Sequence, residues 1–325
     1  MDNRIIIDLK ENYGLTCNQI TPITGGFMNL KWKITTVEKG GLLVKQYSTK
    51  RFRRAQLEWI EFALQRQIIL EQNGVSCPFI RQYKNNAIRF LDDEIIYMVM
   101  DFHSGKTQKP DTITITQMRS LGSACGIMHK EFSQLPEPED KSLPGFGGYT
   151  IDALWENFNW RMSQCPPDVN PEYKKALLAT EPILKQLNSE FFDKFPKGFS
   201  HEDFQSGNIL FDANNVIILD FDRNSYSYIW HDIGRAILSF ALENDKMNVG
   251  KVCAFLEGYS QYLPLTLSNI ADALRLSWCI EVPWWIQPEF FGEDCGDIPK
   301  RFKEEILWLT KNWVEIDFLI EQKGI

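Results

Sequence analysis

Apolar and polar residues recur at two different periods along this chain, and the change between them divides it. Residues 5–13 carry apolar side chains at helical spacing, whereas 20–23 and 28–36 have the β-branched, alternating character of strands. Leu42-Leu43-Val44-Lys45 follows a Glu38-Lys39-Gly40-Gly41 turn and reads as a third strand. Over 52–73 the period becomes helical, with Leu57, Ile60, Leu64 and Ile68 on one stripe and Gly74 as the stop. Three short runs, 79–83, 87–91 and 94–101, are separated by Asn85-Asn86 and Asp92-Asp93 turns and predict an antiparallel meander. Beyond about residue 102 the pattern is mainly helical and rich in aromatics, with helices over 117–132 and from Trp230-His231-Asp232 onward. The expectation is an α+β chain: residues 1–101 form an antiparallel sheet with one long helix, and residues 102–325 form a mainly helical region.

One hairpin interrupts the helical region. Ile209-Leu210-Phe211 and Val216-Ile217-Ile218-Leu219 are apolar runs on either side of Asp212-Ala213-Asn214-Asn215, which is turn chemistry. With Phe211 opposite Val216, counting back pairs Asn208 with Leu219 and Gly207 with Asp220. The hairpin therefore returns Asp220 to the side of Asn208, while Asp203 stays in the loop before it. An amide oxygen beside a carboxylate suits Mg²⁺, a hard ion that takes oxygen ligands and shares them with substrate phosphates. The remaining carboxylate, Asp203, can orient an attacking hydroxyl and accept its proton.

Composition narrows the class. The chain has 325 residues and a formal net charge of -8, which argues against a nucleic-acid partner. Its seven cysteines are scattered without Cys-x-x-Cys spacing and it has four histidines, a pattern of reduced core thiols and no zinc site. The apolar run Ile5-Ile6-Ile7 is too short for a signal peptide, and none of the later ones approaches the ~20 residues of a membrane span. A cytoplasmic enzyme with no membrane association and no obligate protein partner is expected.

The run His201-Glu202-Asp203-Phe204-Gln205-Ser206-Gly207-Asn208, followed by Leu219-Asp220-Phe221-Asp222, resembles the catalytic loop and metal motif of the protein-kinase-like superfamily. Its wording is closest to the aminoglycoside phosphotransferase family, whose relatives include choline kinases, type II homoserine kinases and bacterial spore-coat kinase-like proteins. That family shows His-Gly-Asp-x-x-x-x-Asn and then Ile-Asp-Phe-Asp; here Glu202 stands for the glycine and Gln205 for a frequent histidine. The resemblance implies a two-lobed fold, ATP as co-substrate and Mg²⁺ as cofactor. It makes Asp203 the catalytic residue, Asn208 and Asp220 the metal ligands, and His201 and Asp232 structural support, with Asp232 accepting backbone hydrogen bonds from the catalytic loop. Lys45 occupies the place of the lysine that meets the α- and β-phosphates. Glu58 and Glu61 lie one turn apart on the following helix, and of the two Glu61 is the expected partner of Lys45. Gly25 and Gly26, in Thr24-Gly25-Gly26-Phe27-Met28-Asn29, would bring backbone amides to the phosphates, and the backbones of Met100 and Phe102 would meet the adenine edge.

Asp232 follows Asp220 by only twelve positions, too few for the activation segment on which a protein kinase docks its substrate. A small hydroxyl-bearing acceptor is expected instead. Glu281 and Glu289 flank Trp284-Trp285, and Glu293, Asp294 and Asp297 follow. These residues read two ways: an ammonium site suited to an aminoglycoside, amino alcohol or homoserine-like acceptor, or core tryptophans beside a solvated acidic loop. The alternative class is a catalytically silent, kinase-shaped binding or structural protein.

Overall fold

The computed structural model describes residues 1–23, 29–139, 149–166, 168–188, 190–292 and 295–321. In chain order the elements are α1 (Asn3–Tyr13), β1 (Cys17–Pro22), β2 (Leu30–Thr36), β3 (Gly40–Tyr47), α2 (Arg54–Gln72), β4 (Ile80–Arg81), β5 (Ile88–Phe90) and β6 (Ile96–Asp101). There follow α3 (Ile115–Phe132), α4 (Ile151–Ser163), α5 (Pro171–Leu184), β7 (Lys197–Ser200), β8 (Ile209–Asp212), β9 (Asn215–Ile218), β10 (Ser225–Tyr228) and α6 (Trp230–Ala241). The chain ends with β11 (Leu242–Glu243), β12 (Lys246–Met247), α7 (Val249–Tyr259), α8 (Leu267–Trp285), α9 (Asp297–Asn312) and α10 (Ile316–Glu321). Two compact units result: Met1–Lys106 with Asn208–Asn224, and Thr107–Gly207 with Ser225–Ile325. Among the described residues, no helix is long and apolar enough to cross a membrane.

The first unit is an antiparallel sheet of order β1-β2-β3-β6-β4, with β5 also on β6. Strand alternation gives it two apolar faces. Trp32, Ile34, Leu42, Val44, Tyr97 and Val99 bury against Ile5 and Leu9 of α1. On the other face Tyr47, Ile88, Met98 and Met100 meet the expected stripe of Leu57, Ile60, Leu64 and Ile68 on α2. Each such side chain, taken fully out of water, contributes about 1.5–3 kcal/mol. Helix α1 starts on Asp2, whose carboxylate accepts from the Arg4 N–H, and stops at Gly14 in the left-handed region at φ 64°.

Of the expected meander only the second hairpin forms, β5 with β6 across the Asp92-Asp93 turn; β4 pairs with β6 and not with β5. Ile80 and Arg81 pair with Met100 and Val99, and Ile88 pairs with the next residue back, Met98. β4 and β5 are thus one interrupted strand along β6, from which residues 82–87 loop out. That excursion closes through paired Tyr83 and Asn86 backbone groups, with Lys84 and Asn85 at φ 49° and 67°. The hairpin does form, in the expected register: Phe211 faces Val216, Ile209 faces Ile218, and the Leu219 N–H donates to the Asn208 carbonyl at 2.8 Å. Although late in the chain, it belongs to the first unit. Lys106 and Phe211 exchange backbone bonds at 2.9 and 2.8 Å, and the Ile218 N–H reaches the Ser76 carbonyl at 2.9 Å.

The second unit is mainly helical, with a short ribbon in which Ser200 pairs with Ser225 and Lys197 with Tyr228. Helices α3 and α7 touch backbone to backbone through glycines. A Cβ on Gly122 would lie 2.0 Å from the Phe255 carbonyl oxygen, and one on Gly258 2.0 Å from that of Arg119. Helix α6 is buried along residues 231–241.

Candidate active site

Alternation along β3 points Lys45 and Tyr47 to the same face of the sheet, toward the turn that follows β9. The Lys45 Nζ lies 2.7 Å from Asp220 Oδ1 and 2.6 Å from Asp222 Oδ2, with its side chain only 2% exposed. The Tyr47 hydroxyl donates to Asp222 Oδ1 at 3.2 Å. Burial pushes the Lys45 ammonium toward losing its proton, but the adjacent charges of Asp220 and Asp222 outweigh it and hold the group firmly protonated. Burial raises the Asp222 carboxyl above the ordinary carboxylate range, against the pull of Lys45. Asp220 sits in the left-handed region at φ 60°, a conformation an aspartate tolerates better than most residues. Asn208 is buried, one ladder position from the start of that turn. Among the described residues, no group of three or more His, Cys, Asp or Glu side chains could hold a metal ion. A divalent cation at Asn208 and Asp220 would therefore take further oxygens from phosphate and water, which is how Mg²⁺ is usually held.

The sequence reading missed three residues around this cluster. Asp222, two places beyond Asp220, supplies the second carboxylate on Lys45; a lysine and tyrosine two apart on β3 were its signal. Lys31 on β2 lies directly opposite Lys45, with its Nζ 3.8 Å from Asp220 Oδ2. Arg66 of α2 clasps the far end of the turn: its Nε bonds Asn224 Oδ1 and its Nη2 donates to the Asn224 carbonyl at 2.8 Å.

Glu61 is placed elsewhere than expected. Its carboxylate accepts the Ala87 and Ile88 N–H groups at 2.9 and 2.7 Å and the Gln65 amide at 2.6 Å. It thereby serves backbone donors at the break between β4 and β5, while the carboxylates on Lys45 come from the turn after β9. Met100 lies within β6, paired with Leu43 and Ile80. The Phe102 N–H donates to the Gly41 carbonyl at 3.1 Å, so a base contact from Phe102 would have to use its carbonyl oxygen. Gly25 and Gly26 lie outside the described residues.

The loop carrying Asp203 belongs to the second unit and is organised around Asp232. Fully buried in the first turn of α6, Asp232 accepts the His201 N–H at 2.7 Å and the Glu202 N–H at 3.0 Å. His129 of α3 puts Nε2 3.0 Å from the same carboxylate and Nδ1 3.0 Å from the Tyr259 hydroxyl of α7. Burial works against the Asp232 charge, yet these donors hold its carboxyl below the ordinary value. The Asp203 N–H donates to His201 Nδ1 at 3.3 Å, so the neutral His201 ring carries its proton on Nε2. Glu202 is buried at φ 64°, a left-handed conformation in which glycine is at ease, and its carboxylate accepts from the Ser200 hydroxyl at 2.5 Å. The Gln205 side-chain oxygen accepts the Gly207 N–H at 2.7 Å.

Farther along the second unit, Glu281 is engaged by side chains of the protein itself. His231 Nε2 is 3.4 Å and Arg235 Nε 3.7 Å away, and the Trp285 indole N–H also donates to it. Arg235 in turn binds the fully buried Glu305 at 2.8 Å. Trp278 and Trp313 pack together with ring centroids 5.2 Å apart, whereas Trp284 is exposed. Of the two readings, packing describes Trp285, whose ring lies 5.5 Å from that of Phe290 and 4.7 Å from that of Phe302, and Glu281 is engaged. Glu293 and Asp294 lie outside the described residues.

Residues 19–265 match the Phosphotransferase enzyme family (APH). A homoserine kinase of Rhizobium rhizogenes is 24% identical over 213 residues, 64% of this chain; the chain spans only 62% of that protein's length. A homoserine kinase of Rhizobium etli is 24% identical over 280 residues, covering 82% of this chain and 81% of that one. Among solved structures, the amicoumacin kinase hAmiN, in complex with AMP-PNP, Ca²⁺ and Ami, superposes with a TM-score of 0.67 at 16% identity, over 97% of this chain and 95% of that one. The α+β, protein-kinase-like fold expected from the sequence is the fold observed.

Proposed function

The chain belongs to the phosphotransferase enzyme family, and from that premise we propose that it transfers the γ-phosphate of ATP to a hydroxyl of a small, amine-bearing acceptor of the homoserine, amino alcohol or aminoglycoside kind. The observation that carries the proposal is the buried Lys45 ammonium gripped by Asp220 and Asp222. A charged lysine held in place beside two carboxylates is the equipment that phosphoryl transfer needs, because the reaction is governed by positioning and charge. In this reading Lys45 and the Gly25-Gly26 segment bind phosphates, Met100 and Phe102 border the adenine, and Asp203 orients the acceptor hydroxyl and takes its proton. Asn208 and Asp220 would hold Mg²⁺, which when bound neutralises charge developing on the phosphates. The Asp232 bracket fixes the loop backbone on either side of His201 and so presets Asp203. Kinase relatives described as homoserine kinases support the amine-bearing class of acceptor.

The test is a panel of homoserine, amino alcohols, amino sugars and aminoglycosides assayed by ADP release. Turnover on one class is expected. Asp203→Ala should lower it ~10²- to 10⁴-fold with ATP binding retained, whereas Asp220→Ala should weaken Mg-ATP binding itself. A second reading, a nucleotide-binding protein without turnover, draws on the buried carboxylate of Glu202 in the place the family gives to glycine. ATP-dependent thermal stabilisation with no ADP release from any acceptor would favour it.

A further inference from the structure

Lys31 plays no part in the scheme above, yet its position is unusual. It faces Lys45 across the β2–β3 ladder, so two cations occupy one cross-strand pair, an arrangement that is destabilising without an anion nearby. Asp220 is that anion: Oδ1 lies 2.7 Å from the Lys45 Nζ and Oδ2 lies 3.8 Å from the Lys31 Nζ. The two lysines differ in access. The Lys45 side chain is 2% exposed and forms the floor of the cluster, whereas that of Lys31 is 23% exposed and stands at its rim. Lys45 also has Asp222 at 2.6 Å, so it keeps a carboxylate whatever Asp220 does. The carboxylate beside Lys31 belongs to Asp220, the residue that the phosphotransferase reading commits to a divalent cation.

Resting on that reading, we propose that Lys31 is a second phosphate-binding cation, which exchanges Asp220 Oδ2 for a non-bridging phosphate oxygen of ATP when Asp220 turns to the divalent ion. Lys45 then anchors the polyphosphate from below and Lys31 closes on it from the rim. No bond is made or broken in this exchange; an ion pair within the protein is replaced by one with the nucleotide.

The experiment is calorimetric titration of ATP and AMP, with Mg²⁺ and no acceptor, into the intact protein and its Lys31→Met and Lys31→Arg variants. Lys31→Met is expected to weaken ATP binding roughly 10- to 100-fold, the worth of one charge-assisted contact, while AMP binding stays as in the wild type. Lys31→Arg, which keeps the charge, is expected to stay within a few-fold of the wild type for ATP and shows that the loss is not misfolding. Unchanged ATP affinity in Lys31→Met, or an equal loss for ATP and AMP, overturns the role of Lys31 alone. Failure of the wild type to bind ATP overturns the phosphotransferase reading together with it.

Discussion

Replacing Lys45 with methionine removes the ammonium from between two carboxylates and leaves a side chain of similar volume. The cost follows from the surroundings of each oxygen. Asp222 is only 13% exposed, so its contact with Lys45 is the expensive one to break; Asp220 is 31% exposed and partly screened by water. Removing one partner of a buried ion pair costs about 3–5 kcal/mol, and an exposed pair adds at most about 1 kcal/mol. Lys45→Met should therefore lower the stability of the first unit by about 3–5 kcal/mol at pH 7.5, a fall in Tm on the order of 10 °C. The expected signature is coupling. Asp222→Asn in the Lys45→Met background should recover on the order of 2 kcal/mol, because it removes the stranded charge. The pH dependence has a definite sign. The Asp222 carboxyl is already raised by burial, and without Lys45 it rises further, so the native state binds a proton more readily than the unfolded chain. Stability of the variant is then greatest in acid and is lost as pH rises through the folded value, and its deficit against the wild type should shrink toward pH 5. Urea denaturation followed by circular dichroism at both pH values measures all three quantities. A deficit below 1 kcal/mol at pH 7.5, or an Asp222→Asn change that adds to the loss, would refute the reasoning.

Other outcomes follow from the same geometry. Glu202→Gly and Glu202→Ala both delete the buried carboxylate, so the glycine variant should be the more stable by ~1 kcal/mol in urea denaturation, the cost of the left-handed backbone; equal stabilities would remove the strain. Gly122→Ala would place its methyl 2.0 Å from the Phe255 carbonyl oxygen and should cost ~3 kcal/mol or more, read as a lowered Tm, since backbone on backbone cannot yield as a side chain does. The Asp232 carboxyl is held below its ordinary value near 3.8, so it contributes stability that is present above that value and lost as pH falls through the depressed one; Asp232→Asn should flatten the acid limb of a stability-against-pH curve.

Much of this arrangement was legible in the residues. The hairpin register followed from Phe211 and Val216, because apolar runs around a polar turn leave few pairings, and the α2 stripe followed from its period. The interrupted strand was not legible. Short apolar runs bounded by turn residues look alike whether they pair with one another or lie end to end on a third strand, and only the ladder on β6 distinguishes them. The same interruption misdirected the choice of Glu61. It leaves the Ala87 and Ile88 N–H groups to be satisfied, and a helix glutamate one turn above meets them. Asp222 stands in the motif, but its pairing with Lys45 depends on the turn at Asp220, a backbone conformation that sequence spacing does not express.

The first unit is assembled from two stretches of chain, and this has a consequence for biosynthesis. Lys45 is made early, but its ion-pair partner Asp220 follows 175 residues later and Asp222 two residues beyond that. At a translation rate of about 5–20 residues per second, the nascent sheet waits roughly 10–35 s for the carboxylates that let its lysine be buried. During that interval the Lys45 ammonium lacks these two carboxylates, and its burial has to await the hairpin. The hairpin, the last pair of strands this unit receives, thus locks a sheet made long before it, and completion of the unit is timed by the arrival of its acids.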